Sequence, residues 1–168
     1  MMADHPRFGP AGVPLIFRLM KATLSDVPKL LREEGLDAFE YQAVRWGAKP
    51  QIKMEHAREL GLNARENDVW LSVHGTYFTN LSGKKSIIQA SIKRLIACVT
   101  AAEWMGAHVA VFHPGYYGRR PKSLVLRRCA EALGGAVAEM TAFGIKDVKI
   151  GLETMGKPSQ LGSLDEIL

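Results

Sequence analysis

The chain has 168 residues, 47% hydrophobic and 23% charged, which is typical of one soluble globular domain and excludes an intrinsically disordered chain. Its formal net charge of +5 suits a polyanionic partner but does not require one. No apolar stretch reaches the ~20 residues that span a bilayer, and the N-terminus does not resemble a signal peptide, so we expect a cytoplasmic protein without a membrane partner.

Strand-like and helix-like segments alternate along the chain, a pattern typical of βα units around a parallel sheet. We predict about five such units. Their strands, in chain order, lie near Arg7–Phe8 and over residues 38–44, 69–74, 109–113 and 148–153. Their helices lie over residues 24–34, 52–60, 85–105 and 122–143.

Capping residues suggest where these helices begin and end. Ser25 can cap the first helix, and Gly35, Gly61 and Gly144 follow the ends of helices. A polar connection over residues 63–68 should then lead into the third strand.

The last residues indicate a helix that has only begun. Ser163 and Glu166 have the spacing of a capping box, and the chain stops two residues later. A closed parallel barrel needs eight units and about 250 residues. We therefore interpret residues 1–168 as a single, C-terminally truncated α/β domain, the N-terminal part of a (β/α)8 TIM barrel.

Three of the predicted strands end on a side chain that can bind a metal ion: His74, His113 and Glu153. Because the C-terminal ends of parallel strands meet at one edge of a sheet, these side chains should converge. Alternation along the strands places Ser72 with His74 and Gly151 with Glu153, opposite the apolar residues. Two imidazoles and a carboxylate are the ligands that zinc prefers. The pattern therefore predicts a metal site, although a lone strand-end histidine is more often a hydrogen-bonded rim residue.

The other histidines and the cysteines lack such a setting. His5 and His56 lie outside the predicted strands, and His108 lies at the opposite end of its strand. Cys98 and Cys129 lie among apolar residues of predicted helices without a CxxC spacing. We expect both cysteines to be buried and reduced.

Three motifs in this order resemble the endonuclease IV family of apurinic/apyrimidinic endonucleases. They are His74-Gly75-Thr76-Tyr77-Phe78-Thr79-Asn80-Leu81, Val111-Phe112-His113-Pro114-Gly115, and the segment from Leu152-Glu153 to Leu161-Gly162. The opening Arg7-Phe8-Gly9-Pro10-Ala11-Gly12 is similar to the archaeal-type branch. The resemblance covers essentially the whole chain.

The resemblance implies a xylose-isomerase-like barrel with three zinc ions at its C-terminal mouth, which cleaves DNA 5′ to abasic sites. His74, His113 and Glu153 match metal-binding positions of the family. Glu153 matches the carboxylate that bridges two ions, which makes it the expected catalytic residue. Mn²⁺ is the alternative metal. The family's remaining ligands come from later strands, so we expect this chain alone to be inactive. The expected partner is double-stranded DNA with abasic sites, bound by a monomer.

The resemblance also implies DNA-binding residues. Arg45, Tyr77 and Phe78 match positions that wedge into the duplex at the lesion, where a planar or apolar group replaces lost stacking. The loop with Tyr116, Arg119 and Arg120 could bind phosphates. The structural alternatives are a loop anchored on the barrel rim for Tyr77 and Phe78, and solvated charges for the arginines.

Two departures and two rival functions accompany this interpretation. Phe8-Gly9-Pro10 stands where bacterial members have a histidine, and Thr154 stands where they have asparagine. Neither change removes a metal ligand. One rival is a metal-dependent sugar isomerase or epimerase on the same barrel, since a fold does not determine a reaction. The other is an inactive fragment or binding module, because an open half-barrel exposes its sheet edges.

Overall fold

A computed structural model describes residues 5–168. The strands are β1 (Ala38–Gln42), β2 (Trp70–His74), β3 (Val109–Phe112), β4 (Gly115–Tyr116), β5 (Lys149–Leu152) and β6 (Gln160–Leu161). Four of them form a parallel sheet with the order β1-β2-β3-β5. The helices are α1 (Leu15–Leu19), α2 (Val27–Glu33), α3 (Met54–Glu66), α4 (Lys85–Met105), α5 (Lys122–Ala142) and α6 (Leu164–Ile167). The alternation of parallel strands and helices confirms the predicted α/β fold, a partial TIM barrel.

The segment predicted as the first strand lies beside β1 but is not a regular strand. The carbonyl of Phe8 accepts from the N–H of Ala38 (3.1 Å), and the N–H of Glu40 donates to the carbonyl of Pro10 (3.1 Å). Pro10 has no N–H to continue a ladder, so only an isolated parallel bridge from Ala11 to Glu40 remains. A Cβ on Gly9 would lie 1.6 Å from the Ala38 carbonyl oxygen, which makes glycine necessary for this close approach.

The first helical region differs from the prediction at its start. The segment Leu24–Asp26 is a 3₁₀ helix that leads directly into α2. Its capping box joins Thr23 and Asp26, so the prediction that Ser25 caps this helix was wrong. The Thr23 N–H donates to the Asp26 carboxylate at 2.8 Å, a reciprocal contact that Ser25 lacks here.

The prediction that Gly61 ends the second helix was wrong, as was the predicted polar connection over residues 63–68. Helix α3 continues through Gly61 to Glu66. The reason is tertiary: a Cβ on Gly61 would lie 2.1 Å from the carbonyl oxygen of Met105, at the end of α4. Glycine here serves close packing of α3 against α4, and packing outweighs its poor helix propensity.

The sheet has one buried face and one concave face, as the alternation of residues predicts. The buried face packs on the helices and contains Phe39, Leu71, Val73, Ala110 and Phe112, all at most 3% exposed. Residues of the concave face alternate with these and are only partly buried in β1 and β3. The core therefore lies between the sheet and the helices, and Cys98 and Cys129 are free and buried within it, as predicted. Burial raises the pKa of both thiols to about 11.

A small antiparallel sheet outside the barrel closes the loop after β3. Strand β4 pairs with β6, with Gly115 opposite Leu161. The hydroxyl of Tyr117 donates to the Glu166 carboxylate, which also closes the predicted capping box with Ser163. This contact lowers the pKa of Glu166 to about 2, and burial with the same contact raises that of Tyr117 to about 12. The loop is thereby fixed to α6. Among the helices of residues 5–168, none has the length and apolar character to cross a membrane.

Replacing Gly61 with alanine should destabilise the fold, because the added methyl group meets the Met105 backbone. We expect a loss of about 1–3 kcal/mol in the free energy of unfolding, typical of overpacking. The matched control is Gly134→Ala in α5, where a Cβ meets nothing within 4 Å. The control should gain about 0.5–1 kcal/mol from helix propensity. Urea unfolding followed by circular dichroism measures both, and equal stabilisation of the two variants would refute the packing explanation.

Glu166 should make stability depend on acid pH. Its pKa falls from 4.5 to about 2 on folding, so its stabilisation is complete above pH 4.5 and is lost as pH falls through about 2. We expect Glu166→Gln to be less stable than the wild type at pH 7 and to lose less stability over that acid range.

Urea unfolding at a series of pH values tests this expectation. Glu59→Gln, at an exposed carboxylate of α3, is the control and should follow the wild-type pH dependence. An unchanged pH dependence in Glu166→Gln would contradict the assignment.

Candidate metal centre

Three side chains converge where strands β2, β3 and β5 end. His74 is the last residue of β2, while His113 and Glu153 directly follow β3 and β5. The register pairs His74 with Val111 and Phe112 with Leu152, so the three strand ends are adjacent. One potential ligand atom of each residue lies within 4.8 Å of the others. The structure thus brings together the three residues that the sequence pattern indicated.

The distances between these side chains suit a shared cation. Nε2 of His74 lies 3.0 Å from Oε2 of Glu153, and Nε2 of His113 lies 3.7 Å from the same oxygen. Two ligands of a tetrahedral zinc ion with bonds of about 2.0–2.1 Å are about 3.3 Å apart. The observed separations lie on either side of this value.

Hydrogen bonding identifies the form of the His74 ring. Its Nδ1 lies 2.9 Å from the carbonyl oxygen of Gly75, which can only accept, so Nδ1 carries the proton. In a neutral ring, Nε2 then presents a lone pair toward the Glu153 carboxylate. A cation between the two groups removes this repulsion, and a backbone carbonyl on the second ring nitrogen is the usual support of a metal-binding histidine.

His113 also fits a ligand role. Its Nδ1 is buried and has no hydrogen-bond partner among the described residues. Burial lowers the pKa of His113, the Glu153 carboxylate opposes this shift, and His74 adds to the lowering. The net effect favours the neutral imidazole, which is the form that binds metal ions.

Tyr77 covers both imidazoles from the loop after β2. Its ring stacks on His113 with centroids 6.1 Å apart and meets the edge of His74 at 5.4 Å. The Tyr77 N–H donates to the carbonyl of Val44 (3.0 Å), which joins this loop to the turn after β1. That turn carries Arg45, so Arg45, Tyr77 and Phe78 lie exposed on neighbouring loops at the metal end of the sheet.

The remaining predicted DNA-binding residues lie in the loop after β3 and differ in how exposed they are. Tyr116 and Arg119 are exposed. Arg120 is partly buried and donates through Nη1 to the carbonyl of Ser82 at 2.5 Å. Arg120 therefore braces the loop after β2 and is less free than Arg119 to contact a ligand.

Strand β1 adds polar side chains that the sequence analysis missed. Gln42 is in register with His74, and Glu40 with Ser72, so these residues share the concave face. Nε2 of Gln42 donates to the Glu40 carboxylate at 2.8 Å. The alternation of residues 38–42 could have indicated them, because Phe39 and Tyr41 take the opposite face.

The remaining histidines lie away from the centre, as the sequence analysis expected. His108 stacks on Trp70 with centroids 3.9 Å apart, at the N-terminal end of the strands. Arg7 lies over the same Trp70 ring, at 5.0 Å from its centroid. His56 is exposed on α3. The Trp70 stack covers the sheet edge opposite to the metal centre.

Three known proteins with similar sequence or structure are longer than this chain. An uncharacterized protein of Methanocaldococcus jannaschii is 28% identical over 165 residues, covering 96% of this chain and 55% of that protein. Endonuclease IV from Thermus thermophilus matches with a TM-score of 0.60 and 20% identity, covering 94% of this chain and 55% of that one. A D-tagatose 3-epimerase-like protein matches with a TM-score of 0.63 and 23% identity, covering 86% and 57%. The chain spans about half the length of these relatives, and the two structures support the fold but not a particular reaction.

The family match covers most of the chain. Residues 28–168 match the family described as xylose isomerase-like TIM barrel, a range that includes His74, His113 and Glu153. In such barrels, functional residues lie at the C-terminal ends of the strands, where this structure places the three side chains. The chain therefore belongs to the xylose isomerase-like TIM barrel family.

Proposed function

We propose that the complete protein is a zinc-dependent endonuclease that cleaves DNA 5′ to abasic sites. The observation that carries this proposal is Tyr77, which stacks on His113 while half of its side chain stays exposed beside Phe78. An aromatic and apolar pair at the edge of a metal centre suits a substrate that offers a gap in a base stack.

The ligand residues would work as follows. His74 and His113 would each bind through one ring nitrogen, and the two carboxylate oxygens of Glu153 could bridge neighbouring ions. Bound divalent metal ions supply a hydroxide nucleophile near neutral pH and stabilise charge on the phosphate oxygens. The Gly75 carbonyl fixes the orientation of His74, and Tyr77 excludes water from one side of both imidazoles. Glu153 is 43% exposed, which leaves its carboxylate accessible from the open side of the sheet.

Arg45, Tyr77 and Phe78 would engage the lesion. Phe78 is 61% exposed beside Tyr77, so both side chains are accessible to a substrate. An abasic nucleotide is already unstacked, so turning it out of the duplex costs less than turning out a normal one. Tyr77 and Phe78 would fill the gap that the missing base leaves in the stack, and the phosphodiester would then lie near the metal centre.

The comparisons support the metal-dependent barrel more strongly than the substrate. The endonuclease IV structure covers 94% of this chain, the epimerase-like structure 86%. The epimerase-like structure has the higher TM-score and identity, and both identities are below 25%, so the two likenesses support the fold and do not favour one substrate over the other. The DNA substrate therefore depends on the surface around the metal centre.

A sugar isomerase or epimerase is the second candidate function. The observation that favours it is the polar concave face, where Glu40, Gln42 and Ser72 extend the metal end of the sheet. Barrel interiors are usually filled by branched apolar residues, and hydroxyl groups of a small carbohydrate could bind to these side chains instead.

The complete polypeptide should nick a duplex that contains one abasic site, and removal of metal by a chelator should abolish nicking until zinc is restored. His74→Ala and Glu153→Gln should reduce the nicking rate at least about 100-fold, because each removes a ligand. His56→Ala, an exposed histidine of α3, is the control and should keep the wild-type rate. Gel electrophoresis of a labelled duplex gives the rates, and titration calorimetry gives zinc affinity.

Nicking that survives both His74→Ala and chelation would exclude the metal mechanism. Absence of nicking with zinc bound, together with metal-dependent interconversion of ketoses, would instead establish the second candidate.

Replacing both wedge residues with alanine should separate substrate binding from metal binding. Tyr77→Ala/Phe78→Ala should bind zinc within a few-fold of the wild type but lose about 10- to 100-fold in cleavage efficiency on the abasic duplex, the effect of lost stacking. The control is Phe143→Ala, which removes an exposed aromatic side chain after α5, away from the strand ends. An abasic-site cleavage rate unaffected by the double substitution would show that the loop is only a rim anchor.

A further inference from the structure

A groove leads away from the candidate metal centre across the outside of the barrel. It consists of three adjoining clefts. The first contains Tyr77 and shares Ile87 and Tyr116 with the second, and the second shares Lys84 and Arg120 with the third. The third lies between the start of α4 and the middle of α5 and has a volume of about 730 Å³. We call this continuous feature the lateral groove.

The lateral groove is lined by cationic side chains along its whole length. They are Lys84, Lys85, Arg94, Arg119, Arg120 and Arg128. One acidic residue, Glu131, lines it as well. The groove thus holds six of the 22 lysines and arginines of the chain and one of its 17 acidic residues, which leaves 16 of each sign elsewhere. The net positive charge of the whole chain is concentrated in this groove.

The cations of the groove are not used in ion pairs within residues 5–168. Elsewhere on the surface, Lys29 pairs with Glu33, and the groove carboxylate Glu131 pairs with Arg127, which does not line the groove. None of the six groove cations has a carboxylate within 4.0 Å in the described part of the chain. Six positive charges with one carboxylate among them repel one another, so their grouping opposes folding and suits a negatively charged ligand.

We propose that the lateral groove binds the phosphate backbone of duplex DNA beside the metal centre, without regard to base sequence. This inference rests on the proposed function, because it takes the substrate to be DNA. Lysines and arginines spread over three adjoining clefts suit a polymer that carries many negative charges. The exposed aromatic residues Tyr77, Phe78 and Tyr116 lie at the metal end of the groove, where unstacked bases would be met. An acidic protein would not offer the bases.

Binding of an undamaged duplex tests the groove independently of cleavage. The complete polypeptide, with a chelator present, is titrated into a labelled duplex of about three helical turns, and fluorescence anisotropy gives the affinity at several salt concentrations. The test variant is Lys84→Ala/Lys85→Ala/Arg128→Ala. The matched control is Arg58→Ala/Lys93→Ala/Lys146→Ala, which removes the same charge from exposed residues that do not line the groove.

The groove variant should bind at least about tenfold more weakly at about 0.1 M salt, and the slope of log affinity against log salt should fall by about 0.9 for each lost phosphate contact. The control variant should stay within about twofold of the wild type. Equal losses in the two variants would overturn the proposal and leave only a general charge effect. Competition by polyglutamate as effective as that by DNA would also overturn it, in favour of an acidic protein partner. If DNA binding depends on the groove but no abasic-site cleavage occurs, the proposed endonuclease function is refuted while the proposal that the groove binds duplex DNA is supported.

Discussion

The parallel register of β2, β3 and β5 is the constraint on which the candidate site depends. It pairs His74 with Val111 and Phe112 with Leu152, so that side chains from three distant parts of the chain meet at one edge. A shift of one residue in any strand would turn its ligand toward the helices, because side chains alternate between faces. The buried apolar face prevents such a shift: Val73 and Phe112 are fully buried and cannot exchange places with histidine at low cost. Core packing thus holds the metal ligands in position.

Much of this arrangement could be predicted from the sequence, because it rests on local alternation. The positions of His74 and Glu153 relative to their apolar neighbours fix the face on which they lie, and helix signals around α4 and α5 gave bounds close to those observed. The sequence-based prediction was wrong or incomplete where contacts between distant parts of the chain determine the local structure. Gly61 reads as a helix end until Met105 is known to lie against it. The pairing of β4 with β6 joins two-residue segments that have no periodicity of their own, so only the fold reveals them.

The unequal burial of the two faces of the sheet has a physical reason as well. The helix-facing side is closed by α3, α4 and α5, whereas in residues 5–168 the outer edge of β5 has no strand beside it. The concave face is therefore open, and Glu153 on that side is far more exposed than His74. The carboxylate of Glu153 is therefore accessible to solvent and to a bound ion on that side.

The surface around the metal centre separates the two candidate functions better than the centre itself. Two histidines and a carboxylate can bind the ions used for phosphodiester hydrolysis and for sugar isomerisation. A small sugar is enclosed by its enzyme and needs contacts only within the barrel, such as those that Glu40 and Gln42 could make. A duplex is larger than the barrel mouth and must be bound outside it, by exposed aromatic residues and a line of cations. Phe78 and the lateral groove lie on this outer surface, so the proposed DNA substrate depends on them, whereas a sugar substrate would depend on the residues inside the barrel.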